Sequence, residues 1–255
     1  MPNHGAVGSP STGTRLVVGL QPVREAIRVR AVALRRVALE QRPSRQLEAL
    51  AQFARDQGVR RVDRVGRSEL DRACRGIAHQ GAIAWAPPLE LADPEPLLRR
   101  PTLLGIALDG VEDPQNFGAL VRSAVALCGA PVFWGIHSSA PLSPAMFRAS
   151  AGAVEHAVLC QVRSLRELLT QATAAGVCTI GLDAHAQQTL ASMDLTGPTL
   201  LVLGGEHKGI SRGVRAACTR LACLGRLARM DSLNVSVAAG IALYQSIICR
   251  ANSYT

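Results

Sequence analysis

Short, almost purely apolar runs alternate with longer stretches whose apolar residues recur at helical spacing along most of this 255-residue chain. In the first third the pattern predicts helices over 23–32 and 45–57, and strands over 36–40, 60–65 and 82–85. Together these suggest a small α/β module spanning 15–87. Residues 87–101 (PPLELADPEPLLRRP) hold five prolines and little periodicity, so 88–101 reads as a linker. Beyond it, apolar runs at 103–108, 131–136, 177–182, 200–203 and 221–224 predict strands. Helices are predicted over 116–128 and 165–175, and a long closing helix over 235–250. Near-continuous apolar strands alternating with helices predict a parallel sheet covered on both faces, so the fold class is α/β with a second domain over 102–255. Residues 1–14, rich in Gly, Pro, Ser and Thr, read as a disordered tail.

Composition constrains this picture further. Hydrophobic residues make up 48% and aromatic residues 3%, so Leu, Val, Ala and Ile must fill the core. No apolar run approaches the roughly 18 residues of a membrane span. The N-terminus also lacks a basic-then-apolar signal pattern. The expectation is a cytoplasmic protein with no membrane partner. The seven cysteines include no CxxC pair; reduced structural thiols are the expectation, with no metal site.

The net charge of +9 is unevenly spread. Residues 1–90 carry 15 arginines against 8 acids, and Lys208 is the chain's single lysine. A bias towards arginine codons accounts for arginine over lysine, but not for the concentration of charge in the front third. That asymmetry suggests a polyanionic partner, most often nucleic acid. Arg24, Arg28, Arg60 and Arg61 are candidate phosphate contacts, with a solvated basic face as the alternative for each.

Ligands of such sheets bind at loops that follow strands, and three of these loops stand out. The first strand beyond the linker runs into DGVEDPQNFGALVRSA (109–124). There Pro114 stops the strand, Asn116 is placed to cap a helix, and Arg122 follows a little under two turns on. A capped helix with a solvated arginine is the plainer reading. The fourth predicted strand runs into LVLGGEHKGIS (201–211), where Gly204 and Gly205 would let a ligand reach the backbone and Glu206 follows. An ordinary tight turn explains this equally well. No GxGxxG occurs anywhere, which removes the main support for a dinucleotide-dependent dehydrogenase. The third stretch, MDSLNVSVAAGIALYQ (230–245), sets Ser232, Asn234 and Ser236 just ahead of a helix. They serve as a helix cap or as hydrogen-bonding groups for a carboxylate or a ribose.

Taken in order, DPQNFGALVRSA (113–124), LVLGGEHKGIS (201–211) and SLNVSVAAGIALY (232–244) make the chain resemble the SpoU family of RNA 2′-O-ribose methyltransferases, in the SPOUT class. SPAMFRASAGAVEH (143–156) supports the match as a second strand-to-helix region, and the resemblance covers about 103–250. LVVGLQPVREAI (16–27) and GIAHQGAIAWA (76–86) resemble the ends of the small L30e-like RNA-binding domain of members acting on large-subunit rRNA.

The resemblance implies a deep trefoil knot in the C-terminal domain and a homodimer with active sites near the subunit interface. It implies S-adenosyl-L-methionine as cofactor, held near Gly204, Leu224 and Leu233, the two leucines flanking the adenine. Arg122 matches the family's catalytic arginine, as a base or as a stabiliser of phosphate and developing alkoxide. Asn116, Ser232 and Asn234 match polar positions that orient the ribose, and Glu206 would fix its loop. The implied reaction is methylation of a ribose 2′-hydroxyl, on a guanosine of 23S rRNA. Alternatives are a tRNA ribose methyltransferase, an antibiotic-resistance enzyme acting on rRNA or, in another class, a non-catalytic RNA-binding or ribosome-assembly protein.

Overall fold

A computed structural model of the chain describes residues 13–42, 44–136, 139–225 and 232–253. Residues 1–12 of the expected disordered tail therefore lie outside the described residues. In chain order the elements are β1 (Arg15–Val18), α1 (Leu20–Arg30), β2 (Arg36–Glu40), α2 (Arg45–Asp56), β3 (Val62–Val65), α3 (Arg67–Cys74), β4 (Ala82–Ala86), α4 (Pro94–Leu98), β5 (Leu104–Asp109) and α5 (Pro114–Leu127). They continue with β6 (Val132–Gly135), α6 (Pro144–Ala149), β7 (Leu159–Val162), α7 (Leu165–Ala174), β8 (Cys178–Leu182), β9 (Thr199–Gly204), α8 (Arg212–Ala217), β10 (Arg220–Ala222) and α9 (Val235–Asn252).

The chain divides into two compact units, one of residues 1–89 with 142–155, the other of 90–141 with 156–255. In the first, a sheet of order β1-β4-β2-β3 is antiparallel except for the β2–β3 pair. Alternation along its strands sends side chains to opposite faces. Val37, Leu39, Ala82, Ala84 and Ala86 join α1 and α2 in one core, while Ala38, Ile83 and Trp85 pack against Leu70 and Cys74 of α3 on the other face.

Residues 142–155 were assigned to the C-terminal domain by sequence, yet they group with this first unit. Met146, Phe147 and Val154 are buried, α6 packs on β1, and Arg15 lies over the Phe147 ring at 5.2 Å. The Glu155 carboxylate is fully buried and meets Arg15 Nη2 at 2.5 Å and Arg30 Nε at 2.9 Å. A carboxylate out of water requires such partners, and here both cations come from the N-terminal unit.

The second unit holds a six-stranded, all-parallel sheet of order β10-β8-β9-β5-β6-β7. One face is covered by α4, α7 and α8 through Leu97, Leu98, Leu165, Leu168, Leu169 and Val214. On the other, α5 and α9 pack together, and α9 also lies on β5 and β9. Phe117 of α5 meets Trp134 of β6 edge-on, with ring centroids 5.4 Å apart. Part of the expected linker is ordered here: Asp93 caps α4, and Leu97 and Leu98 enter the core. The Arg250 guanidinium fastens the far end of α9 by donating to the carbonyls of Leu195, Thr102, Leu103 and Gly197 at 2.6–2.9 Å.

The strand order fixes where a ligand can enter. From β5 the chain moves outward through β6 and β7, then crosses to the opposite side for β8, β9 and β10. β5 and β9 therefore flank the point where the winding reverses, the position at which parallel α/β sheets leave a crevice at their carboxyl ends. Asp109 and Gly204 are register partners at those ends, so the loops that follow leave the sheet side by side.

Candidate active site at the carboxyl ends of the parallel sheet

Asp109, the last residue of β5, organises the loop beside it. Its carbonyl accepts from the Gly205 amide at 2.8 Å, and its carboxylate accepts from the Ser211 amide at 2.7 Å. Asp109 is buried, and its two bonds hold both ends of the Gly205–Ser211 loop. The one local mark of its role in the sequence is a carboxylate closing an otherwise apolar strand.

The two glycines that begin that loop are dictated by packing. A Cβ on Gly205 would stand 2.0 Å from the Gly110 carbonyl oxygen, and one on Gly204 would stand 2.0 Å from the Gly209 carbonyl carbon. The space each side chain would take is thus filled by the protein's own backbone rather than left open to a ligand. Glycine is required because loop packs directly on loop.

Helix α5 starts earlier than its sequence suggested. Asp113 is the N-cap, accepting from the Gln115 amide at 2.9 Å, and Pro114 occupies the first turn, where a missing N–H costs nothing. Asn116 is therefore not the cap and its side chain is free for other work. Its amide donates to Glu206 Oε1 at 2.6 Å, and its carbonyl oxygen accepts from the Asn234 amide at 2.8 Å. Asn234 is the N-cap of α9, where its oxygen accepts from the Ser236 amide at 2.9 Å and the Ser236 hydroxyl at 2.6 Å.

These bonds form one directional chain. Ser236 donates to Asn234, Asn234 to Asn116, and Asn116 to Glu206, so every amide is used in a defined orientation and the terminal acceptor is a carboxylate. Residues from three segments separated by 90 and 118 positions meet within hydrogen-bond distance. The starts of α5 and α9 abut, and the positive ends of two helix dipoles converge beside them. Such a place favours an anionic oxygen, whether a phosphate or an alkoxide.

The remaining predicted residues lie outside this network. Arg122 is exposed on α5 and makes no hydrogen bond or ion pair among the described residues. Six residues along a helix set it about 9 Å and roughly 120° from Asn116, so the two do not share one cluster. Ser232 is exposed and likewise unbonded among the described residues. Leu224 is half-buried in the turn after β10 and Leu233 is partly exposed beside Asn234, while 226–231 lie outside the described residues.

Thiol chemistry finds no support at three buried or partly buried cysteines. Burial pushes the Cys160 thiol up to about 12, and those of Cys74 and Cys218 to about 11, so each stays protonated and inert near neutrality. No group of three metal-ligating side chains exists among the described residues, and no helix among them is long and apolar enough to cross a membrane. Of the basic residues proposed for phosphate contact, Arg28 pairs with Glu25 at 2.6 Å and Arg61 with Asp63 at 2.8 Å. Arg24 lies over the Phe53 ring at 5.4 Å, and Arg60 is exposed.

Both parts of the chain are similar to known proteins. Residues 104–244 match the family model described as the SpoU rRNA Methylase family, and residues 16–92 match the one described as RNA 2′-O ribose methyltransferase substrate binding. An uncharacterized tRNA/rRNA methyltransferase of Mycolicibacterium smegmatis is 37% identical, over 92% of this chain and 77% of the relative. The fold matches that of an AdoMet-bound rRNA methyltransferase from Sinorhizobium meliloti, with a TM-score of 0.75 and 21% identity over 92% of this chain and 87% of that one. A protein whose structure concerns 2-OH methylation of C/U34 on tRNA matches with a TM-score of 0.54 and 26% identity, over 60% of this chain and 99% of its own.

Proposed function

The chain belongs to the SpoU rRNA methylase family and is an S-adenosylmethionine-dependent RNA methyltransferase, and on that premise we propose that it methylates a ribose 2′-hydroxyl of a guanosine in 23S ribosomal RNA. The observation that carries this reading is the chain of bonds from Glu206 through Asn116 to Asn234. It gathers the three loops of the family motifs at the sheet's switch point, where a ligand crevice is expected.

The residues present suit the cofactor. Leu233 offers apolar surface at 37% exposure and Leu224 is half-buried; we assign both to the adenine, with backbone near Gly204 reading its edge. S-adenosylmethionine supplies an electrophilic methyl on a sulfonium. What the chain contributes is position and charge. Asn116 and Asn234, locked by their mutual bond, and Ser232, exposed ahead of α9, orient the ribose. Glu206 holds Asn116 in its orientation. Arg122, exposed and without a carboxylate partner among the described residues, is available to an RNA phosphate and to the developing alkoxide. A guanidinium holds its proton too firmly to be an effective base, so stabilisation is the role we assign to it.

The relative from Mycolicibacterium smegmatis is named for tRNA and rRNA together, and ribosomal RNA is the substrate we propose. The substrate-binding match at 16–92 coincides with the arginine-rich unit. Transfer of tritiated methyl to unmodified rRNA and tRNA, followed by primer extension at limiting nucleotide, tests the assignment. We expect label in rRNA at a single guanosine ribose. Label in tRNA would establish the alternative substrate, and label on a base would overturn ribose chemistry.

The homodimer and the deep trefoil knot belong to the same reading. In α9, Val237, Ile241, Tyr244 and Ile248 are spaced four, three and four residues apart and are exposed at 50%, 41%, 58% and 41%. The opposite side of α9 is buried through Ala239, Ala242 and Leu243. A helix apolar all round needs cover on both sides, and a second copy of the chain would supply it with active sites near the interface. Tyr244→Asp is expected to convert a dimer to monomer in sedimentation velocity; a wild-type chain that sediments as a monomer would refute the dimer.

A further inference from the structure

The first unit contains a cavity of about 410 Å³ whose wall includes Glu40, Arg42, Arg67, Asp71, His79 and Gln80. This is within the size range of small-ligand pockets. Its floor is a strained turn. Gln80 has φ of 53°, unusual for a residue with a side chain, and Gly81 follows at 82°. Neighbouring groups lock this conformation. The Gly81 amide donates to His79 Nδ1 at 3.0 Å, so Nε2 carries the ring proton and donates to Asp71 Oδ1 at 2.9 Å. The Gln80 side-chain oxygen accepts from the Leu20 amide at the start of α1. A Cβ on Gly81 would press against Glu40 Oε2 at 3.0 Å and Leu47 Cδ1 at 3.1 Å. Strain held this firmly is characteristic of functional loops.

The polar groups of the cavity are of two kinds. Glu40 is nine-tenths buried; one of its oxygens meets Arg42 Nε at 3.0 Å, and the other has no partner among the described residues. Arg67 reaches Asp71 only at 3.8 Å and is largely exposed, so its guanidinium is free to turn inward. A buried carboxylate acceptor beside exposed arginine donors is a poor phosphate site but a good match for one base edge. Guanine presents two adjacent donors, N1–H and N2–H, which one carboxylate can accept, next to O6 and N7, which arginine reads in pairs. Uracil and cytosine lack that adjacent donor pair, and adenine has no ring N–H on the same edge.

We propose that this cavity binds one unpaired guanine of the RNA substrate, with Glu40 accepting from its Watson–Crick edge and Arg67 donating to O6 and N7. RNA is read in sequence mainly through such splayed-out bases. The inference rests on the assignment of the chain as an RNA methyltransferase, and it adds a readout point within the first unit.

The test uses the full chain and fluorescent heptaribonucleotides UUUGUUU, UUUAUUU and UUUUUUU at fixed ionic strength. The guanosine heptamer is expected to bind roughly tenfold or more tighter than the other two, the discrimination typical of a good bidentate base contact. Arg67→Ala, at an exposed position, should reduce that preference to below about threefold, and Glu40→Gln should do the same where melting shows it folded. Equal binding of all three heptamers, or an undiminished preference in Arg67→Ala, overturns the pocket. Calorimetry with S-adenosylmethionine on the same preparation separates the two claims. Cofactor heat without guanosine preference removes only the pocket, whereas preference without heat removes only the methyltransferase reading.

Discussion

Replacing Arg122 with alanine is expected to lower kcat for RNA methylation by about 10²–10³-fold, the loss typical when one donor to a developing oxyanion is removed. S-adenosylmethionine affinity should change little, because Arg122 bonds to none of the loops assigned to the cofactor. Stability should stay within about 0.5 kcal/mol of wild type, since the side chain is exposed and unpaired among the described residues. Arg122→Lys should recover only part of the activity: the charge returns but the planar fork that grips a phosphate does not. Single-turnover methyl transfer with saturating RNA is the deciding measurement, with calorimetry for the cofactor. An alanine variant that turns over within twofold of wild type would remove Arg122 from the mechanism.

Gly205→Ala should have a comparable effect by another route. The new methyl would lie 2.0 Å from the Gly110 oxygen; a Cβ is fixed by its own backbone and the oxygen is main chain, so neither can rotate away. One of the two loops must move. Overpacking of this kind costs about 3 kcal/mol or more, which corresponds to roughly 6–12 °C in the melting of a domain of this size. Displacement of the loop would also pull Glu206 from Asn116 and so cost cofactor binding and turnover together. Gly213→Ala is the control: its Cβ would meet only Arg166 Cδ, at 3.9 Å, within helix α8, and the substitution should be neutral or slightly stabilising. Differential scanning calorimetry of both variants checks this. A Gly205→Ala protein that melts with wild type would show that the loops are not packed as described.

Element type was legible wherever burial on both faces left a long apolar signal. β2 spans Arg36–Glu40 as the alternation predicted, and β5, β6, β8, β9 and β10 fall within a residue or two of their apolar runs. β7 went unseen because only Leu159 and Cys160 of its four residues are buried, which makes β9 the fifth strand of its sheet rather than the fourth. β1 was missed for a related reason: it is four residues long and starts with an arginine whose charge is absorbed by Glu155, 140 positions away. Helix α6 lies within the residues matched to the methylase family, yet it packs on β1 of the first unit. Its buried methionine and phenylalanine carry no mark of which core will take them.

The candidate site shows the same division. Asn116, Glu206 and Asn234 could each be named from local sequence, and their types suited a polar site. Local rules also assigned Asn116 to a helix cap, which Asp113 in fact provides. The amino-acid order alone determined the two α/β parts, the parallel character of the second sheet and the identity of its motif loops, because hydrophobic period and turn chemistry are written in neighbouring residues. Only the tertiary structure decided that β5 and β9 lie side by side, that Glu206, Asn116 and Asn234 form one chain of bonds, and that the glycines exist for backbone contact. Strand order and long-range hydrogen bonds depend on which distant surfaces bury one another, and that choice is made by the folded whole.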